Sequence, residues 1–498
     1  MSKWLPYPSL YEINTWVWLS EFQSKHASGV DLGSVPAAEW DAIAVLGFDA
    51  VWLMGVWERS PAGIAVANRN PRLVEDFHRA LPDFRPEDNV GSPYCVRRYV
   101  ADAHLGGPEG LAHARRELAK RGMKLILDFV PNHVAPDHSW VGAHPDYFVR
   151  GTADDLRNDP ASYLDISGNV YACGRDPYFP AWPDVLQLNA FDPGLRRAAA
   201  DTLSSIASQC DGVRCDMAML VLNSVFERTW GERPGRPPST DYWREAIPSA
   251  KSHHPDFIFI AEAYWDLEWE LQQQGFDFCY DKRLYDRLEH DNAESVRLHL
   301  RADLPYQAKL VRFLENHDEP RAAAAFASER EEAAVVVTAT LPGARLFHEG
   351  QLEGRRIRVP VFLGRRPGEP VNQGLRSFYE KLLKGIDQSA FREGEWQMCE
   401  CSGWPDNESY RNLLAWTWHK DAERCLIAVN FSGDSLQARL TVPWPELAGE
   451  KCVLVDALSG ERYQREGDEL LRSGLYVELG PWGCHVLVCR CQRSASGA

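Results

Sequence analysis

The run GVRCDMAML (212–220) places Arg214 and Asp216 inside an otherwise apolar stretch that reads as a buried strand. Residues two apart on a strand share a face. The guanidinium and the carboxylate therefore lie side by side, while Cys215 points the other way. Burying either charge alone would cost several kcal/mol, so the two must serve each other. Similar groups end other apolar runs. Asp128, Asn132 and His133 close MKLILDFVPNH, Glu262 closes DFIFIAE, and His317 with Asp318 close KLVRFLENHD. A single carboxylate at a strand end is ordinarily a cap or a salt-bridge partner. Four of them, with one arginine and two histidines, are the equipment of a site where carboxylates exchange protons and meet developing charge.

Those residues converge only if their strands lie in one sheet. Eight apolar runs recur: SLYEIN (9–14), DAVWLMGVW (49–57), MKLILDFV (123–130), GVRCDM (212–217), DFIFIAEAYW (256–265), FDFCYD (276–281), KLVRFLENHD (309–318) and GARLFHEG (343–350). Helical patterns such as 108–122, 194–208 and 330–341 alternate with them. Strand–helix alternation predicts a parallel α/β fold. Eight units predict a (β/α)8 TIM barrel, with polar residues at the strand carboxyl ends lining the active site. The sixth strand is the weakest of the eight. Residues 134–189, rich in Pro, Asp, Trp, Tyr and Gly, are too long for a simple loop and predict an inserted subdomain after strand 3. From about 395 the text turns to short β runs separated by turn residues. The expected organisation is a barrel over 1–133 and 190–394, an insertion over 134–189, and an antiparallel β-sandwich over 395–498 that ends in a floppy RSASGA tail.

With the elements placed, the motifs become recognisable. DFVPNH (128–133), GVRCDM (212–217), AEAYW (261–265) and ENHDE (315–319) resemble the four signature regions of the α-amylase family, glycoside hydrolase family 13. They stand in family order at the ends of strands three, four, five and seven. WPDVLQLN (182–189) is similar to the family's further motif before strand four. The resemblance implies a retaining α-glycosidase working by double displacement through a covalent glycosyl-enzyme. In that reading Asp216 is the nucleophile, Glu262 the general acid and then base, and Asp318 the stabiliser of an oxocarbenium-like transition state. Arg214 keeps Asp216 ionised, because an opposite charge lowers a carboxylate pKa. Glu262, flanked by Ala261 and Ala263 with no compensating charge beside it, is expected to be raised by desolvation. Tyr94 resembles the tyrosine that stacks under the sugar. His133 and His317 are expected to donate to sugar hydroxyls, while Asp128 organises Arg214 and Asn132 supports the site.

The expected substrate is an α-linked oligosaccharide or α-glucan. The same carboxylates also serve transglycosylases, isomerases and phosphate-dependent glycosyltransferases, so transfer to a sugar or phosphate is the alternative reading. A non-catalytic carbohydrate-binding relative is a minor one, since all three acids stand in their motifs. Departures from the family pattern are Arg97 and Arg98 before Tyr99, Phe347 and His348 in the eighth strand, and the loop EGRRIRVPVFLGRRPGEP (353–370). Its arginines 355, 356, 358, 365 and 366 are expected to tie the loop to carboxylates; a phosphate site is the other reading. Many family members bind calcium between barrel and insertion, and Asn132 lies near that place. The about six to eight oxygens such a site needs are not identifiable, so no metal or other cofactor is assigned.

Bulk properties agree with a saccharide ligand. The 498-residue chain is long enough for two or three domains. Its net charge of −17 argues against nucleic acid or an anionic membrane as partner. The 18 tryptophans and 17 tyrosines suit sugar rings, but the cores of a large protein account for them better. No apolar run is long enough to span a membrane, and the amino terminus has no apolar core of a secretory signal. Twelve scattered cysteines, two pairs of them spaced C-x-C, read as reduced thiols of a cytoplasmic protein. Linkage, chain length, endo or exo action and oligomeric state are not legible at this level. Specificity is expected to depend on the shapes of 134–189 and 351–372.

Overall fold

A computed structural model describes residues 3–23 and 29–492. The tail 493–498, expected to be floppy, lies outside the described residues. Eight parallel strands close into a barrel in chain order: Ser9–Asn14, Ala50–Met54, Lys124–Phe129, Gly212–Cys215, Ile258–Ala261, Phe278–Tyr280, Leu310–Arg312 and Ala344–His348. Each expected strand is present. The sixth is three residues long, which explains its faint pattern.

The period of two is visible in the packing. Leu10, Ile126, Ile258, Ile260, Val311, Ala344 and Leu346 fill the barrel interior. Leu53, Leu125, Leu127, Val213, Cys215 and Phe259 belong to the outer core under the helices. The inward rows therefore continue to Glu12, Asp128, Arg214 with Asp216, and Glu262 as each strand reaches its carboxyl end. Helices start where the chain offers a cap. Asp192 accepts from the Leu195 amide ahead of Pro193–Gln209, and Asp281 accepts from the Leu284 amide ahead of Lys282–His290.

Three additions decorate the barrel. After the third strand, a four-stranded antiparallel sheet includes His133–Val134, Tyr163–Ile166, Asn169–Gly174 and Trp182–Gln187. After the second strand, a two-stranded ribbon, Trp57–Arg59 with Val96–Ala101, encloses a pair of helices, Pro61–Arg69 and Pro71–Ala80, between its strands in the chain. This excursion is not foreseen in the sequence reading, because its helices break at Asn70–Pro71 and carry no long periodic stripe.

At the carboxyl end, six-stranded and three-stranded antiparallel sheets share an apolar core. In strand Leu413–Lys420 the alternation divides the two interfaces. Leu413 and Ala415 enter the sandwich core. Leu414, Trp416 and Trp418 join the barrel core instead, with both indoles donating to the Thr340 carbonyl. Cys215, Cys279, Cys399 and Cys401 are free thiols. Among the described residues no helix is long and apolar enough to cross a membrane.

Candidate active site

A cavity of about 320 Å³ opens at the carboxyl ends of the strands, and Asp216, Glu262 and Asp318 all line it. Tyr94 and His133 complete the near walls. The strand ends thus bring together three acids that the sequence spreads over about a hundred residues.

Arg214 is the hub. It is 1% exposed. Its Nη1 donates to Asp216 Oδ1 at 2.7 Å, and its Nη2 stands 2.8 Å from Glu262 Oε2 as an ion pair without hydrogen-bond alignment. The rings of Tyr94, Trp52 and Tyr280 surround the guanidinium at 5.0, 5.3 and 5.9 Å. This geometry corrects one expectation: Glu262 has a compensating charge beside it, delivered from the neighbouring strand and not from its own sequence neighbours. A second expectation is also revised. Burial pushes the Asp216 carboxyl up to about 6, and the pull of Arg214 only opposes that rise. Glu262 is pushed further, to about 7, by burial, against the same arginine and with help from the charge of Asp216. Desolvation outweighs the ion pair in both because each carboxylate has left water almost completely. The Met217 amide and the Tyr264 hydroxyl donate to Glu262 at 2.5 and 3.0 Å.

Asp318 follows the opposite balance. Its side chain is 41% exposed, deep in the concavity but open to the mouth. Enclosure would raise its pKa, but the His317 imidazolium 2.8 Å away holds it down to about 2. His317 is itself pushed up to about 10. Burial alone would lower it, but Asp318 and Glu12 on either side win. Nδ1 of His317 meets Glu12 and Nε2 meets the Tyr94 hydroxyl at 2.6 Å, so both ring nitrogens are already engaged. His133, in contrast, is pushed down to about 3 by burial and is a neutral imidazole facing the cavity.

Asp128 pairs with Arg214 across the sheet register. Its oxygens nevertheless accept from the Trp52 indole at 3.1 Å and the Gly55 amide at 2.9 Å, so it acts on Arg214 through charge alone. Asn132 Nδ2 donates to Gln187 Oε1 and faces His133 Nδ1, while its Oδ1 accepts from Gln187 Nε2 at 2.8 Å. That oxygen is thereby engaged, and among the described residues no group of three or more His, Cys, Asp or Glu converges.

Sequence reasoning overlooked Glu12, Trp182, Asp184, Tyr264 and Phe362. Glu12 carried a signal, since it is an acid in the inward row of the buried strand SLYEIN. Trp182 and Asp184 sit inside the WPDVLQLN motif. Phe362 lies in the 353–370 loop already singled out, but its residue type did not mark it as a cavity wall. The arginine-rich loop is tied down as expected at three positions: Arg355 to Glu21, Arg365 to Asp88 and Asp83, and Arg366 to Glu21 and Glu349. Arg356 and Arg358 instead reach the carbonyls of Ala323 and Asp318. Arg97 and Arg98 both pair with Glu58, and His348 lies between Arg321 and Glu315.

Comparison with known proteins gives the chain its relatives. An alpha-amylase of Haloarcula japonica is 26% identical over 326 residues, 64% of this chain and 41% of its own length. An alpha-1,4-glucan:maltose-1-phosphate maltosyltransferase of Streptomyces coelicolor is 27% identical over 245 residues, 48% of this chain and 30% of its own. The chain spans 41% to 62% of the length of the first three curated relatives. Among solved structures, a noncanonic maltogenic alpha-amylase of Thermotoga neapolitana superposes with a TM-score of 0.68 at 18% identity, covering 97% of this chain and 99% of its own. The Geobacillus thermoleovorans alpha-amylase complexed with acarbose gives 0.67 at 17%, covering 99% and 100%. A model of the alpha-amylase catalytic domain matches residues 37–417, and with more than half of its length so accounted for, the chain belongs to the alpha-amylase family.

Proposed function

We propose that the protein is a retaining α-glycoside hydrolase acting on α-glucosidic bonds of maltooligosaccharides or α-glucans. The observation that supports it is the sharing of one buried guanidinium by two carboxyls, Asp216 and Glu262. In this reading Asp216 attacks the anomeric carbon, and Glu262, raised by burial, protonates the departing oxygen. A glycosyl–Asp216 ester forms, the leaving group departs with the proton, and water deprotonated by Glu262 then cleaves the ester with net retention. Asp318, held ionised by His317, faces the positive charge that develops on the ring. Tyr94, His133, Arg214 and His317 shape and charge the pocket around the sugar, with Asp128 and Asn132 supporting it from behind. We assign the barrel to 1–133 and 190–394, the insertion to 134–189 and the closing β-domain to 395–498. The free thiols support a cytoplasmic setting.

Transfer of the glycosyl group to a sugar, in place of water, is the second reading. It is favoured by the kinship with a maltosyltransferase and by a vestibule beside Glu262 with Phe179 and Trp265 on its walls. Phosphate as acceptor is less well supported, because carboxylates occupy Arg355, Arg365 and Arg366.

A screen of α-linked di- and oligosaccharides, recording product anomer and size, tests the proposal. Retained anomers from the unmutated protein are expected, with turnover lowered on the order of 10⁴-fold or more in Asp216→Asn. Full activity of that variant would refute the nucleophile assignment, and longer products than substrate would favour transfer.

A further inference from the structure

We propose that the cavity takes the non-reducing end of a glucan and not an internal stretch, because the loops after strands two and eight are zipped into a wall across one side of its mouth. This inference rests on the glycosidase reading of the site and adds which part of the substrate enters.

The closed order of the barrel sets the geography. Strands eight, one and two are neighbours, and strands four, five and six lie across the mouth from them. On the far side the mouth is open. A second cavity of about 370 Å³, lined by Met217, Tyr264, Trp265, Lys282 and Arg283, shares Met217 and Tyr264 with the cavity of the acids. Glu262 ends strand five, so a glycosidic oxygen protonated there has its leaving group in this vestibule. The opposite end of the ring, with the hydroxyl through which a longer chain would continue, then faces strands eight, one and two.

That direction is shut. The Val90 amide donates to the Phe362 carbonyl at 2.8 Å, and the Gly364 amide donates to the Asp88 carbonyl at 2.9 Å. Asn89 and Leu363 form the antiparallel bridge between these bonds. Arg365 grips both oxygens of Asp88 at 2.7 and 2.8 Å and reaches Asp83 at 3.2 Å. Leu363 is fully buried with Phe77, Ala80 and Leu81 of the excursion after strand two. The loops meet so closely that a Cβ on Gly364 would come within 2.7 Å of the Val90 side chain. Phe362, 5.7 Å from the Phe77 ring, presents the wall to the cavity. A bidentate ion pair, paired backbone amides and a buried leucine leave no strand-wide gap for a polysaccharide, and such a zipped segment opens less readily than a free loop.

The test compares two p-nitrophenyl α-maltoheptaosides, one with a free non-reducing end and one whose terminal glucose carries an ethylidene acetal. The full-length protein is expected to consume the free compound, releasing a product of one size from the first time point. The capped compound should disappear about a hundredfold more slowly. Comparable rates with fragments of many lengths would overturn the inference while leaving the glycosidase reading intact. Consumption of neither would overturn both. Loosening the wall with Arg365→Ala and Leu363→Ala together should raise the rate on the capped compound toward that on the free one. A folded double variant that keeps its rate on the free compound yet still refuses the capped one would remove the wall as the selecting feature.

Discussion

Glu12 of the first strand holds Nδ1 of His317, a residue 305 positions away, at the floor of the pocket. Both side chains are almost wholly buried. Asp318 and Glu12 together raise His317 to about 10, and the resulting cation in turn keeps Asp318 ionised. Charge thus runs from Glu12 through the imidazolium to the carboxylate that faces the substrate.

Replacing Glu12 tests this relay. Glu12→Gln preserves shape but removes the charge that raises His317. NMR titration should place the His317 pKa at least one unit lower, and each unit is worth about tenfold in protonation. At neutral pH His317 stays protonated after such a shift from about 10, so kcat there should change little. An unmoved His317 titration would mean that Glu12 serves packing alone.

The pH profile follows from the two coupled carboxyls. Asp216 must be ionised and Glu262 protonated at the start of the reaction. Activity should fall below about 6, as Asp216 takes up a proton, and above about 7, as Glu262 loses one. The expected kcat/KM curve is a narrow bell whose two apparent values belong to the pair. In Glu262→Gln the alkaline limb should vanish on aryl glucosides with good leaving groups, which need no proton donor. An alkaline limb that persists there would assign it elsewhere.

Arg214 is expected to matter for stability as well as catalysis. Arg214→Leu leaves Asp216 and Glu262 buried without their cation, and breaking such a pair costs about 3–5 kcal/mol. Chemical denaturation at neutral pH should show that loss, and it should shrink toward pH 5, where both carboxyls are protonated. A loss independent of pH would indicate a packing defect instead.

Glu331 gives the opposite sign. It is 2% exposed, with the Tyr379 hydroxyl donating to it at 3.3 Å, and burial together with Glu315 pushes it up to about 8 from 4.5. Because the folded value lies above the unfolded one, this group's stabilising contribution is complete below about 4.5 and is lost as pH rises through 8. Glu331→Gln should therefore raise Tm by several degrees at pH 8 and change it little at pH 5. Equal Tm values at both pH settings would contradict the burial argument.

The barrel was legible because burial on both faces writes near-continuous apolar runs, and the helices between them repeat with their own period. Asp128, Arg214, Asp216 and Glu262 stood out because a charge in such a run is costly and must have a reason. Glu12 was readable on the same grounds, yet it lay outside any motif. The excursion after strand two was not readable, because its short helices draw their apolar contacts from a loop almost three hundred residues later, with Leu363 docking on Phe77.

Local sequence determined which residues are inward, acidic and at strand ends, since alternation and side-chain chemistry are properties of neighbours along the chain. Only the tertiary structure decided what those residues feel. Arg214 touches Glu262 as well as Asp216, burial overrides the arginine at both, and the wall of Asp88 and Arg365 closes one side of the mouth. Fields, desolvation and shape depend on distances through space, and those distances exist only once the barrel has closed.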